Sequence, residues 1–334
     1  MSMTSAAATP VAAPRRRPSP VVGDMIGIAV VLGVGIACYF LFPTNLSFLT
    51  SLVALALLAL SLDLVTGYGG VATLGHAALF GAGAYGAGIA CVSFGVTEPF
   101  TLLFIGLVCG ALAGAISGAI ILRAHGLPQL VLSIAVVQLA HEIANKASAW
   151  TGGSDGLAGI AAAPVFGLFA FDLWGRTAFL LGLGLLAVAT LLLRILVRSP
   201  FGMLCQGIRQ DPVRVKAMGS PVYPVLVKLY AISGAVAGLG GALAAISTQV
   251  VGLDSVSFTL SAETLVMLVL GGVGTLFGAI AGTFVFMWFE HVVSAADPFH
   301  WMTLVGALLI AIVLFAPRGL YGSLLDLYRR RRAP

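Results

Sequence analysis

The chain has 334 residues, of which 60% are hydrophobic and only 9% charged, and its mean hydropathy is +1.08. A soluble domain carries roughly 25% charged residues, so the composition excludes a water-soluble fold and places the chain in a membrane. The net charge of +5 comes from local basic clusters of the kind that set membrane topology, not from a nucleic-acid-binding surface.

Residues 1–20 are rich in Pro and Ala and are expected to be a disordered cytoplasmic N-terminus. Arg15, Arg16 and Arg17 precede an apolar run that ends at Phe42-Pro43 without an Ala-x-Ala site, which reads as an uncleaved first span. A membrane helix needs about 20 mainly apolar residues. Such runs occupy 22–42, 46–65, 74–95, 99–122, 127–147, 173–197, 225–250 and 300–316. The region 261–296 is either one very long helix or two short ones. The runs show no strand-like alternation, which argues against a β-barrel. Cys38, Cys91, Cys109 and Cys205 have no metal or redox spacing and read as small apolar packing residues.

Basic residues flanking spans prefer the cytoplasm. With the N-terminus inside and 261–296 counted as two passes, every basic residue except Lys146 and Arg176 falls on the inner side. One long helix would instead expel the tail that carries Arg329 to Arg332. The expectation is therefore an all-α polytopic membrane protein of about ten spans with both termini cytoplasmic. Its permease domain covers 21–317 and its basic tail 318–334.

The stretch 67–88 is apolar yet glycine-rich, and it holds a histidine, His76. Glycine costs helix stability, and a ring nitrogen needs a partner. Such segments line a path or let backbones pack closely. Gly69-Gly70-Val71-Ala72-Thr73-Leu74 resembles Gly271-Gly272-Val273-Gly274-Thr275-Leu276, so glycine-broken segments are expected near 67–75 and 271–278. Paired breaks in two halves point to a transport site, although Gly-Gly-Val is also cheap in a glycine-rich chain. The residues singled out for the pathway are Gly69, Thr73, His76, Gly81, Glu263, Gly272 and Thr275. Asp63 is either functional within a span or near an interface. Adjacent His141 and Glu142 point in different directions on a helix, which disfavours a metal site there.

The only sizeable polar loop expected inside is 198–224. Asp211-Pro212 suits a helix start, Met218-Gly219 a helix end, and Pro221 and Pro224 bar continuation. The loop is either a short lever helix or a positive loop that sets topology. There is no phosphate-binding Gly-Lys-Ser/Thr loop and no nucleophile motif. The chain therefore reads as non-catalytic, with no cofactor of its own, and any ATP must be bound by a partner.

Five stretches in order resemble the permease subunits of branched-chain amino-acid ABC importers, the LivM-like subunit of the LivH/LivM family. They are the Gly67 to Tyr85 pattern, Thr151 to Leu157, the loop Ser199 to Gly219, Leu268 to Gly278, and Phe315 to Leu320. The resemblance implies an ABC-importer permease fold in a bacterial inner membrane. It also implies a LivH-like second permease, ATPase subunits and a periplasmic or lipid-anchored binding protein. In that family the 199–219 loop docks into a cleft of the ATPase, which makes Phe201, Arg209, Asp211, Arg214, Met218 and Gly219 the candidate coupling residues. Asp211-Pro212-Val213-Arg214 departs from the family's acidic-alanine pattern. Leucine, isoleucine and valine are the implied substrates. Urea, amides and aromatic acids use similar permeases, and an ion-coupled carrier is a further alternative, thinly supported by Asp63 and Glu142.

Overall fold

Among the described residues, helices form where the apolar runs predict them. The computed structural model describes residues 20–43, 45–164 and 175–296, with isolated positions 303, 306, 307, 310 and 319. The helices are α1 (Pro20–Leu41), α2 (Leu46–Leu62), α3 (His76–Phe94), α4 (Pro99–Ile121), α5 (Leu127–Lys146) and α6 (Ser148–Thr151). After them come α7 (Arg176–Arg198), α8 (Pro200–Gln210), α9 (Pro212–Ala217), α10 (Val222–Thr248), α11 (Phe258–Gly271) and α12 (Leu276–Ala296). The strands among the described residues are β1 (Leu157–Ala158) and β2 (Val250–Val251), an antiparallel pair with Leu157 opposite Val251.

Among the described residues, seven helices are long and apolar enough to cross a bilayer: α2 with the turn that follows it, α3, α4, α5, α7, α10 and α12. The apolar part of α1 and the whole of α11 are shorter. The region 261–296 is two helices, broken between Gly271 and Leu276. The predicted N-terminal segment 1–20 (but for Pro20), the span 300–316 and, apart from Gly319, the basic tail 318–334 lie outside the described residues.

The architecture turns on α10. It packs most closely on α4, with α3 and α2 on its other sides. Small residues let these backbones touch. A Cβ on Gly238 would overlap the carbonyl of Gly106 and come within 2.8 Å of Gly110 Cα. Gly234 meets the carbonyl of Gly110, and Gly83 of α3 meets the backbone of Gly238. In lipid there is no hydrophobic drive to bring helices together, so close van der Waals contact between small-residue faces takes its place. Gly83 of α3 and Gly106 and Gly110 of α4 thus pack backbone on backbone, one of the two roles that the sequence leaves open to such glycines. Opposite these seams, α4 turns Phe104, Val108, Leu112, Ile116 and Ile120 outward, and α7 turns out Leu180, Val188, Leu191 and Ile195. These are wholly hydrocarbon faces, suited to lipid.

The bundle has two ends of different character. One gathers Arg123, Arg198, Arg209, Arg214 and Lys216 on and beside α8 and α9, and Tyr223 there donates to the Ala119 carbonyl at 2.7 Å. The other holds β1 and β2, and Ala163 donates there to the Thr97 carbonyl at 2.7 Å.

Gly238→Ala should destabilise the protein by about 1–3 kcal/mol through overpacking of this seam. Gly184→Ala should be neutral or slightly stabilising, since nothing lies within 4 Å of a Cβ there. Denaturation midpoints of the two variants in detergent check the contrast, and equal midpoints would show that the seam tolerates the extra carbon.

Candidate functional site

The basic end is built from three pieces of chain. The first is the α8–α9 pair. Ser199 is extended, with φ −69° and ψ 163°, and its Oγ accepts from the Gly202 N–H at 3.3 Å while Pro200 opens α8. Asp211 then breaks the helix with φ −156° and caps α9, its Oδ1 accepting from the Arg214 N–H at 2.9 Å. Pro212 fills the first helical position, as the sequence predicts. The end of α9 is a two-bond glycine stop: Ser220 N–H donates to the Val215 carbonyl at 3.3 Å, and Gly219 N–H to the Lys216 carbonyl at 3.0 Å. Gly219 has φ +84° with open space around it, so conformation alone requires glycine there. The predicted helix is present with the predicted ends. An additional helix, α8, precedes it where the sequence was read as loop.

Gly202, Cys205, Ile208 and Val215 are buried and anchor the pair to the bundle. Burial pushes the Cys205 thiol up to about 11, so it stays protonated and inert near neutral pH. Phe201 is half-buried against the core, whereas Met203, Val213 and Met218 stand out from the surface. Val213 is thus an exposed apolar residue that the sequence reading missed. Its signal was its place beside Arg214 on a helix too short to bury both. Arg214 is exposed and lies 3.5 Å from Asp211. Arg209 is also exposed, but it reaches across the first glycine turn, and its Nη1 donates to the Gly67 carbonyl.

The second and third pieces are the paired glycine turns. After α2 the chain makes a π-helical turn, Asp63–Tyr68, then an irregular segment to Gly75, so 67–75 precedes α3 and is not part of it. Gly70 has φ +71°, and its counterpart Gly272 has φ +110°. The two turns meet at the basic end. Asp63 is fully buried, and its Oδ1 accepts from the Gly274 N–H at 2.6 Å. Thr275 Oγ1 donates to the Gly272 carbonyl at 2.7 Å and holds the second turn closed. A cavity of about 960 Å³ opens beside them, lined by Gly69, Gly70, Arg123, Arg209 and Lys216 among others.

The start of α3 is tied to four other helices. Leu74 N–H donates to Ser133 Oγ of α5 and Ala77 N–H to Ser261 Oγ of α11, each at 3.0 Å. These side chains satisfy amides that a helix start leaves without partners. Tyr230 of α10 donates to Thr73 Oγ1 at 2.7 Å. Ser233 Oγ gives its single proton to the Ser61 carbonyl at 2.7 Å, so it must accept from His76 Nε2, 2.9 Å away. That fixes the Nε2–H tautomer. Nδ1 is left buried without a hydrogen-bond partner among the described residues.

Of the residues singled out for the pathway, Thr73, His76 and Gly81 are therefore packed between helices of this chain. Gly69 and Gly272 sit in the two turns, and Thr275 is half-buried beside Gly272. Glu263 is half-buried on α11, away from both turns. Among the described residues no three His, Cys, Asp or Glu side chains converge as metal ligands.

The outward face of α5 is unlike the lipid faces of α4 and α7. Alongside exposed Leu127, Leu139 and Ile143, it carries Val131, Ala135, Gln138, Glu142 and Asn145, all exposed and on one stripe of the helix. The opposite face packs Val137 and Ala140 on Ala77 and Ala78 of α3 and on Leu260 of α11. From the sequence, His141 and Glu142 are disfavoured as a metal site and Glu142 counts only as thin support for an ion-coupled carrier, so the stripe is missed. The i, i+4, i+7 spacing of the three polar residues was the available signal.

The chain matches the family model for the branched-chain amino acid transport system / permease component over residues 44–314. It belongs to that family. Two relatives are each described as high-affinity branched-chain amino acid transport system permease protein LivM, from Escherichia coli K12 and Salmonella typhimurium LT2. Each is 25% identical over 285 residues, covering 79% of this chain and 67% of the relative. No solved structure matches the chain. The permease is thus an integral membrane protein whose family assignment spans every described element from α2 to α12.

Ser233→Ala should leave His76 Nε2–H without an acceptor inside the permease. The expected cost is about 1–2 kcal/mol, read from denaturation midpoints. An unchanged midpoint would mean that His76 finds another acceptor.

Proposed function

We propose that this permease is the membrane subunit of an ATP-driven importer that moves hydrophobic amino acids delivered by an external binding protein. Its basic end faces the cytoplasm and docks an ATPase through α9. The observation that carries the reading is the α8–α9 pair. A short helix is capped at both ends, anchored by buried residues and left with Val213, Arg214 and Met218 exposed. Interface energy concentrates in a few apolar anchors, and rim charges chiefly steer. Val213 and Met218 are the anchors, and Arg214 meets acidic groups of the ATPase. Phe201 holds α8 to the bundle, and Asp211 and Gly219 shape the helix. The positive residues at this end support a cytoplasmic orientation.

A second permease packs against the face formed by α5 and α11, and the path lies between the two subunits. A polar stripe turned to lipid is costly, so Gln138 and Glu142 support an aqueous passage on this side, to which half-buried Glu263 of α11 adds a further polar group. His76, Thr73 and Gly81 serve the path as its supporting wall. Gly69, Gly272 and Thr275 form the turns beneath it. Specificity for branched-chain substrates follows the names of the family and of its LivM relatives.

Gly219→Asp should leave insertion intact and release the ATPase or abolish ATP-driven uptake, because a side chain at φ > 0 opposes the helix stop by roughly 1–2 kcal/mol. Co-purification of the ATPase together with uptake decides it, and full assembly with full transport would make α9 a mere topological loop. In a cysteine-free background, Gln138→Cys should react with a charged, membrane-impermeant thiol reagent at least ten-fold faster than Leu112→Cys, about one decade. Equal labelling rates would place the α5 face in lipid.

A further inference from the structure

Arg209 closes α8 one residue before its last, next to the Asp211 break where α8 gives way to α9. Its backbone rests on the first glycine turn, since a Cβ on Gly70 would lie 3.0 Å from Arg209 Cα. From there the side chain crosses the turn. Nη1 donates to the Gly67 carbonyl and would lie 3.1 Å from a Cβ on Gly274, in the second turn. On the other side of Gly274 its N–H is held by Asp63 Oδ1 at 2.6 Å. Gly67 itself is pressed between Asp63 Oδ1 and the Gly274 backbone. One guanidinium and one buried carboxylate therefore clamp both glycine turns between them, and the guanidinium belongs to α8.

We infer that Arg209 is a positioning residue that transmits movement of the α8–α9 pair to the membrane helices, rather than a contact to the ATPase. The first turn carries α2 into α3, and the second carries α11 into α12. A rotation of α8 that shifts Arg209 pulls on both connections at once. It reaches α11 without any change within α10 and its glycine seam. A hydrogen bond to a main-chain carbonyl resists stretching whichever side chains surround it. Gly67 and Gly70 leave room for the side chain to cross. Asp63 has a second oxygen, Oδ2, buried without a hydrogen-bond partner among the described residues. It stays within reach of the Arg209 and Arg194 charges.

The inference rests on the importer reading, and its test has one arm that does not. In the isolated, detergent-solubilised permease, spin labels at Met218 on α9 and Val273 in the second turn are both at exposed positions. The wild-type background should give one narrow distance distribution, and Arg209→Ala should broaden it at least two-fold. An unchanged width overturns the clamp whether or not an ATPase binds. In the reconstituted complex, Arg209→Ala should retain the ATPase while the substrate moved per ATP hydrolysed falls about ten-fold. A purely structural role would lower hydrolysis and uptake together and leave that ratio unchanged, which overturns the proposal. So does loss of the ATPase from the complex, since that makes Arg209 a docking residue. Because Arg209→Ala strands a buried carboxylate, the double variant with Asp63→Asn separates folding from transmission. It should recover the yield of assembled complex and keep the low ratio, and recovery of both overturns the proposal. Failure of the wild-type permease to hold any ATPase would sink the importer reading instead, and the spin-label arm would still judge the clamp.

Discussion

The distance between α4 and α10 sets the geometry of everything else. Two helices in lipid gain nothing from hiding hydrocarbon from one another, so their association depends on how closely their atoms approach. At Gly106, Gly110, Gly234 and Gly238 the approach is backbone to backbone, and no side chain fits between. That contact makes α10 a rigid post. Because the post does not move, α3 can be held to it through Gly83 and through the His76–Ser233–Ser61 chain of hydrogen bonds. Polar links of this kind are modest in energy one at a time, but they fix register, which close packing of small residues does poorly.

The same post divides the molecule into a quiet part and a movable part. Helices α2, α3, α4 and α10 share the glycine seams and most of the buried surface. The pair α11 and α12 is held to α2 more loosely, and to the rest by small contacts such as Leu260 on Ala77 and Val137 and by hydrogen bonds such as that from the Ala77 N–H to Ser261 Oγ. The α8–α9 pair touches the bundle through four buried residues, the half-buried Phe201 and Leu204, and the side chains of Gln206 and Arg209. A force applied at α9 meets the least resistance along α8, the two glycine turns and α11.

Much of this was legible in the sequence, and the limits of legibility have physical causes. Span positions followed from hydropathy because lipid admits few alternatives to a long apolar helix. The break at 271–274 followed from charge: only two passes keep the basic tail on the side of the other basic residues. Asp211-Pro212 and Met218-Gly219 are local signals with local consequences, and α9 begins and ends where they say. What stayed hidden was set by partners far along the chain. Nothing near Arg209 announces that it bonds Gly67, and nothing near His76 announces Ser233. The glycines of α3 were visible, but whether they faced a path or a neighbouring backbone depended on α10. The polar stripe of α5 became meaningful only when the bare hydrocarbon of α4 and α7 stood beside it for comparison.

The hydrogen bonds at the start of α3 impose an order on how the chain can be made. Ser133, Ser233 and Ser261 lie 59, 157 and 184 residues beyond the groups they satisfy. A ribosome delivers α3 to the translocon long before any of the three exists. Until α5, α10 and α11 in turn have been synthesised, the amide of Leu74, the ring of His76 and the amide of Ala77 must be served by water or by lipid headgroups. The first turn of α3 therefore waits at the membrane surface. It settles into place as one of the last events of biogenesis, after the helices that will hold it have arrived.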